Sequence, residues 1–163
     1  MLKLKMRRFS GIVLLALVSL TATAQNDSIP TINRTILGYV QSVMGKQVDR
    51  GECWDLANQA LILVNAKWDK MYVYGKPVNY KTEAVYPGDI VHFKGAVVER
   101  IEGFTTYTET MEQHTAIIIK VYGKGVYELA HQNTSFSGRK VGTSPINIEG
   151  LVKGNIIIYR PQE

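Results

Sequence analysis

The sequence predicts an α+β domain, with N-terminal helices packed on a small antiparallel β-sheet and a cysteine at the start of one helix. Three observations carry this. Apolar residues recur at helical spacing twice in the first half, through Ile32, Ile36, Leu37, Val40 and Met44, then through Leu56, Ala57, Ala60, Leu61 and Val64. The helical period disappears from Trp68 onward, and short apolar runs bounded by glycine and proline follow one another to the C-terminus. Helices first and strands afterwards is the order of an α+β chain rather than of alternating βαβ units.

Residues 1–24 read as a secretory leader and not as part of the fold. Lys3, Lys5, Arg7 and Arg8 make a basic start, Gly11 to Leu20 is an apolar run too short to span a bilayer, and Ala22-Thr23-Ala24 supplies small residues for cleavage before Gln25. No cysteine follows the run closely, so neither a lipid-anchored nor a stably membrane-anchored protein is expected, and the localisation read from the leader is secreted or periplasmic. The leader also explains the charge. Of 19 Lys and Arg, four lie in residues 1–24 and no acidic residue does, which leaves 15 basic against 14 acidic side chains. A balance this even removes the basis for a nucleic-acid-binding reading.

Gln25 to Pro30 is a polar, loose lead-in, and residues 31–163 are the single domain. Thr31 is placed to cap a first helix that ends at Gly45. Gly45 to Gly51 is a short glycine-bounded connection, and a second helix is expected from Cys53 to Ala66. Met71-Tyr72-Val73-Tyr74 reads as a short strand or extended loop before Gly75 and Pro77. Pro87-Gly88-Asp89 is a tight turn opening a strand at Ile90. Residues 99–112, polar and rich in threonine, read as a loop or an excursion of a hairpin. Strands are then expected at His114 to Tyr122, from Gly125 to Leu129 and on towards Asn133, and at Gly154 to Tyr159, with Gly123-Lys124-Gly125 as the hairpin turn between the first two.

Cys53 is the only cysteine. In an oxidising compartment it has no partner within the chain, so it is either an intermolecular bridge or a reactive thiol, and a buried structural thiol is the bland alternative. Its place at a helix start, where unpaired N–H groups and the helix dipole favour an anion, predicts a thiol whose pKa falls below that of a free cysteine. Cysteine catalysis also needs a base and a group to orient it. Three histidines are available. If the 123–125 turn closes a hairpin, His114 at the start of one strand lies beside His131 and Asn133 at the end of the next. Either of the two is a candidate for the orienting residue. Asn133, two residues on, points to the same side of an extended segment. His92 has no evident partner and reads as a strand residue. Trp54 and Trp68 pack the second helix, and Trp54, next to Cys53, is placed to wall a cleft. Zinc held by Cys53, His92, His114 and His131 is the competing reading, but their spacing matches no compact zinc motif, and neither metal nor cofactor is expected.

The order of these pieces resembles the papain-like bacterial amidohydrolases and peptidases of the CHAP and NlpC type. The matching stretches are Gly51 to Ala57, Pro87 to Val91, His114 to Ile118, Glu128 to Asn133 and the closing strand Gly154 to Pro161, so the resemblance covers roughly Thr31 to Pro161. It implies a papain-like fold with Cys53 as nucleophile, His114 as general base, and His131 or Asn133 as the third member. It implies no cofactor, and a peptide or peptidoglycan-type substrate cleaved at an amide bond. Two departures stand beside Cys53: Glu52 where NlpC-type enzymes often carry aspartate, and Trp54-Asp55 where small residues are usual. A non-catalytic binding domain of the same shape and a thiol acyltransferase are the alternatives.

Overall fold

The computed structural model describes residues 29–163. The expected leader, 1–24, and residues 25–28 of the lead-in lie outside the described residues. Two helices and six strands make an α+β domain, and among the described residues no helix is long and apolar enough to cross a membrane.

Helix α1 is Thr31–Val43 and buries Ile36 and Val40, two positions of its apolar stripe. Pro30, not Thr31, stands at its N-cap, and no side chain caps it; proline's fixed φ suits the entry to a helix. Helix α2 is Cys53–Leu63, three residues shorter than expected. Asn65 takes φ +50°, its N–H meets the Ile62 carbonyl, and the Ala66 N–H reaches back to the Leu61 carbonyl at 3.0 Å. These bonds close the helix as a Schellman motif, a geometry asparagine tolerates.

The strands are β1 (Lys76–Val78), β2 (Ile90–Glu102), β3 (Thr105–Gly123), β4 (Val126–His131), β5 (Gly142–Asn147) and β6 (Leu151–Arg160). They form one antiparallel sheet in the order β1-β6-β2-β3-β4-β5. Met71 to Tyr74 is loop, and the strand in that region starts only after Gly75. The threonine-rich residues 99–112 are an excursion of a hairpin: β2 and β3 stay paired out to Glu102↔Thr105. β-Branched threonine suits a two-stranded ribbon wet on both faces. The edge strand β5 has no counterpart among the expected strands, because its Pro145 argues against a strand unless the strand lies at an edge, where this one does.

Both faces of the sheet are buried. Ile90, Ile117, Ala130 and Tyr159 pack with the helices, while their neighbours Val91, Ile118, Leu129 and Ile158 point to a second apolar cluster on the other side. That is why the strands read as continuous apolar runs. The Pro87-Gly88-Asp89 turn fixes α1 to the sheet. Asp89 is fully buried, accepts from Asn33 Nδ2 at 2.9 Å and from the Tyr86 N–H at 2.9 Å, and holds Arg160 at 2.9 Å. Gly88 has φ +90°, and a Cβ there would stand 2.6 Å from the Asn33 carbonyl.

Candidate active site

The connection before α2 is held from several sides. Gly45 and Lys46 exchange backbone bonds with Val141, at the entry to β5. Gln132, fully buried just beyond β4, bonds both the N–H and the carbonyl of Val48 and also donates to the Glu52 carbonyl at 2.9 Å. Glu52 and Asp55 form a capping box around the first turn of α2, with the Glu52 N–H donated to Asp55 Oδ2 at 3.0 Å. Asp55 is also fully buried and takes Arg50 at 2.6 Å on its other oxygen. Asp55 beside Cys53 thus has a structural purpose: it satisfies an orphan donor of the helix start and anchors Arg50. A Glu-x-x-Asp spacing across the cysteine was the signal for it.

Cys53 is the first residue of α2 and is half-buried. Strand β4 stops at His131 and its pairing with β3 begins at Ile117, so the β3 segment before it is open on that side. The sulfur fits there, 3.9 Å from the Gln113 carbonyl, with Thr115 N–H directed at it as well. Burial pushes the thiol pKa up, opposed by the N–H groups of Thr115, Trp54 and Cys53 itself, and the Glu52 charge adds to the rise. The expectation of a depressed thiol pKa is therefore corrected. The helix start does supply stabilising N–H groups, but loss of water around the sulfur outweighs them.

His114 Nε2 and His131 Nδ1 are 2.8 Å apart, and the other nitrogen of His131 lies 3.0 Å from Ser144 Oγ on β5. Both rings are pushed towards the neutral form. Burial, with the neighbouring His92 second, lowers His114 to about 4. Burial and then His114 lower His131 to about 3. A neutral pair is what an N–H···N hydrogen bond requires, one ring donating and the other accepting.

Asn133 does not join this pair. The chain turns at φ +59° there, which breaks the strand alternation, and its amide donates to Glu52 Oε2 at 2.8 Å. His92 also stands apart. It is buried, shares the Thr115 hydroxyl with Tyr74 and stacks on Tyr72 at 5.0 Å. Among the described residues no group of three or more His, Cys, Asp or Glu side chains converges as metal ligands would.

Cys53 and Gln113 sit where two clefts meet. One, of about 430 Å³, is walled by Arg50, Trp54, Lys70, Met71 and Tyr72. Trp54 is pinned there by its indole N–H on the Met71 carbonyl at 2.7 Å, with Trp68 behind it. The other, of about 610 Å³, contains His114, His131, Asn133, Phe136 and Ser144. The nucleophile-type residue, a base-type residue and a partner for that base thus face one solvent-accessible space. Gln132 and Ser144 had no signal in the sequence, since both act from positions that only the sheet register brings near.

A crystal structure of Ly7917 with the hydrolysing product of MDP is similar to this fold at a TM-score of 0.50 and 16% identity, over 81% of this chain and 63% of that one. Another Ly7917 crystal structure matches at a TM-score of 0.47 and 16% identity, over 80% of this chain and 62% of that one. The chain thus spans less than two thirds of the length of these structures. No curated protein matches the sequence. The family model for the AIM3/BBC1 cysteine proteinase-fold domain matches residues 20–163. With a helix-start cysteine against an antiparallel sheet, the chain has a papain-like cysteine proteinase fold and belongs to the AIM3/BBC1 cysteine proteinase-fold domain family.

Proposed function

We propose that this protein is an exported thiol hydrolase that cleaves an amide bond, with Cys53 as nucleophile, His114 as general base and His131 as the residue that orients it. The observation that carries this is the His114–His131 bond of 2.8 Å in the cleft that Cys53 borders. His114 Nε2 is engaged by His131, so Nδ1 is the nitrogen free to take a proton; the sulfur's hydrogen bond runs to the Gln113 carbonyl, so thiol and ring have to close on one another for the transfer. In the reaction Nδ1 takes the Sγ proton as sulfur attacks the carbonyl carbon. The carbonyl oxygen gains the charge and is held by backbone N–H groups at the start of α2. His114 returns the proton to the leaving amine, the C–N bond breaks, and an acyl-enzyme remains. Water, deprotonated by the same nitrogen, releases the acid and restores the thiol. A neutral thiol and a neutral imidazole suit this route, in which proton transfer accompanies attack.

A peptide of the cell wall is the proposed substrate, and residues 1–24 the leader that brings the protein to it, with Gln25 as the mature N-terminus. The family resemblance of the motif order supports the substrate class. The Ly7917 structure, solved with the hydrolysing product of MDP, supports a hydrolase reading by analogy on a similar fold in another protein. The test is incubation of the purified mature chain with peptidoglycan peptides, products read by mass spectrometry. Cleavage is expected, and is expected to vanish in Cys53→Ala and His114→Ala. Adding acceptor amines separates hydrolysis from acyl transfer. Persistence of cleavage in Cys53→Ala overturns the assignment.

The half-buried thiol, its pKa pushed up by desolvation, favours one other reading, a binding domain that retains the fold without turnover. It predicts that Cys53→Ala binds wall peptides as tightly as the native chain and that neither cleaves them.

A further inference from the structure

We infer that Ser144 is a positioning residue that sets the direction of the proton chain through His131 to His114. The inference rests on the assignment of His114 as base. The three groups form a line, Ser144 Oγ to His131 Nε2 at 3.0 Å and His131 Nδ1 to His114 Nε2 at 2.8 Å. With both rings neutral, each carries one N–H, so the line has only two consistent directions. In one, His114 Nε2–H donates to His131, whose Nε2–H donates to the Ser144 hydroxyl oxygen. His114 Nδ1 then bears a lone pair and is able to take a proton from sulfur. In the other, Ser144 O–H donates to His131 Nε2, His131 Nδ1–H donates to His114, and His114 Nδ1 already carries a proton. That direction has no base.

The serine is needed for the productive direction because His131 is only 6% exposed. Phe136 packs across its ring at 5.4 Å, and the same phenyl group lies against Gly142, the residue paired with His131 in the sheet. The ring is largely withdrawn from the cleft it borders, and Ser144 Oγ is the hydrogen-bond partner that its Nε2 has among the described residues, so a proton on Nε2 finds its acceptor there. A buried N–H without an acceptor costs about 1–3 kcal/mol. Without the hydroxyl oxygen the pair therefore reverses, leaving a bare lone pair at Nε2 and loading the proton onto His114 Nδ1. Ser144 is well held for this role: it is paired with Leu129 in the β4–β5 ladder, so the backbone fixes the position of the hydroxyl. When His114 becomes imidazolium during attack, the same oxygen accepts the end of the chain and steadies the charge.

The experiment is nitrogen-15 NMR of the histidine rings in the full mature chain carrying Ser144→Ala or Ser144→Thr, alongside turnover of the wall peptide. In the native protein His114 is expected to be protonated at Nε2. In Ser144→Ala the proton is expected at Nδ1, and kcat is expected to fall at least about tenfold with KM unchanged, because geometry survives and the tautomer does not. Ser144→Thr keeps a hydroxyl on a strand-favouring side chain and is expected to restore both the native tautomer and kcat. Thr143→Ala, one residue earlier and on the opposite face, is the control that leaves both alone. A His114 ring still protonated at Nε2 in Ser144→Ala overturns the inference, and so does a Thr variant that behaves like Ala. The ring readout does not depend on turnover. A tautomer shift in a chain that cleaves nothing upholds the role of Ser144 and removes the hydrolase assignment.

Discussion

Cys53 carries a thiol on which opposing influences act, and their balance decides how it reacts. Three backbone N–H groups draw the pKa down and burial, aided by Glu52, draws it up, with burial the larger. In the absence of substrate, alkylation by iodoacetamide followed across pH is expected to give a rate midpoint above that of an unfolded control; a midpoint below it would mean that the N–H groups dominate. The distinction was not legible in the sequence, because helix position is local whereas desolvation comes from β3 closing over the sulfur. The positions of Cys53, His114 and His131 were legible, since a cap, a strand entry and a hairpin turn locate them by counting. Asn133 stays out of the histidine pair because counting by twos holds only while the chain stays extended, and it turns at φ +59°. The two candidates separate by mutation. His131→Ala is expected to lower kcat by about a hundredfold, through loss of the base's orientation, and Asn133→Ala by less than about threefold. Equal losses would return Asn133 to the site.

Helix α2 keeps Cys53 in place through its first turn, and that turn depends on Asp55. The carboxylate is fully buried, takes the Glu52 N–H and pairs with Arg50, so its removal leaves an orphan donor beside the nucleophile. Asp55→Ala is expected to destabilise the fold by about 1–2 kcal/mol, the cost of leaving a buried hydrogen-bonding group unpartnered, measured as a shift in the urea midpoint at unchanged slope. A loss below about 0.5 kcal/mol would show that the cap is redundant. Elements were readable where one signal dominated. Both helices announced themselves through period and glycine, whereas α2 ended early because Asn65 made a left-handed cap that the apolar stripe does not encode. The long ribbon of β2 and β3 was readable only as an alternative to a loop. Its outer part, exposed on both faces, lacks the alternation that marks a half-buried strand, and cross-strand pairing carries it.

The domain as a whole buries His92 and His131 and half-buries His114, and this couples its stability to pH. His92 is lowered chiefly by burial, His114 to about 4 and His131 to about 3, each from a reference of 6.5. For such groups the unfolded chain binds protons that the folded chain refuses, so stability rises with pH between the folded and unfolded values. The contribution is complete above about 6.5. It is lost progressively as pH falls towards about 4 and on to about 3, where His131 takes up its proton. The hydrogen-bond neighbour of the His114–His131 pair is the neutral Ser144, which brings no negative charge to offset the loss. A charge on His114 opposes one on His131, so the second proton is the harder to add. Thermal unfolding followed from about pH 7.5 down to about pH 4 is expected to show a steady fall in Tm, beginning near the reference histidine value rather than near that of a carboxylate. In the double variant His114→Gln/His131→Gln the buried pair no longer titrates, and the fall over the same range is expected to be shallower, with His92 alone remaining. Parallel curves for the two proteins would mean that the pair is as easily protonated folded as unfolded, and with that the neutral, directional chain from Ser144 to His114 would be lost.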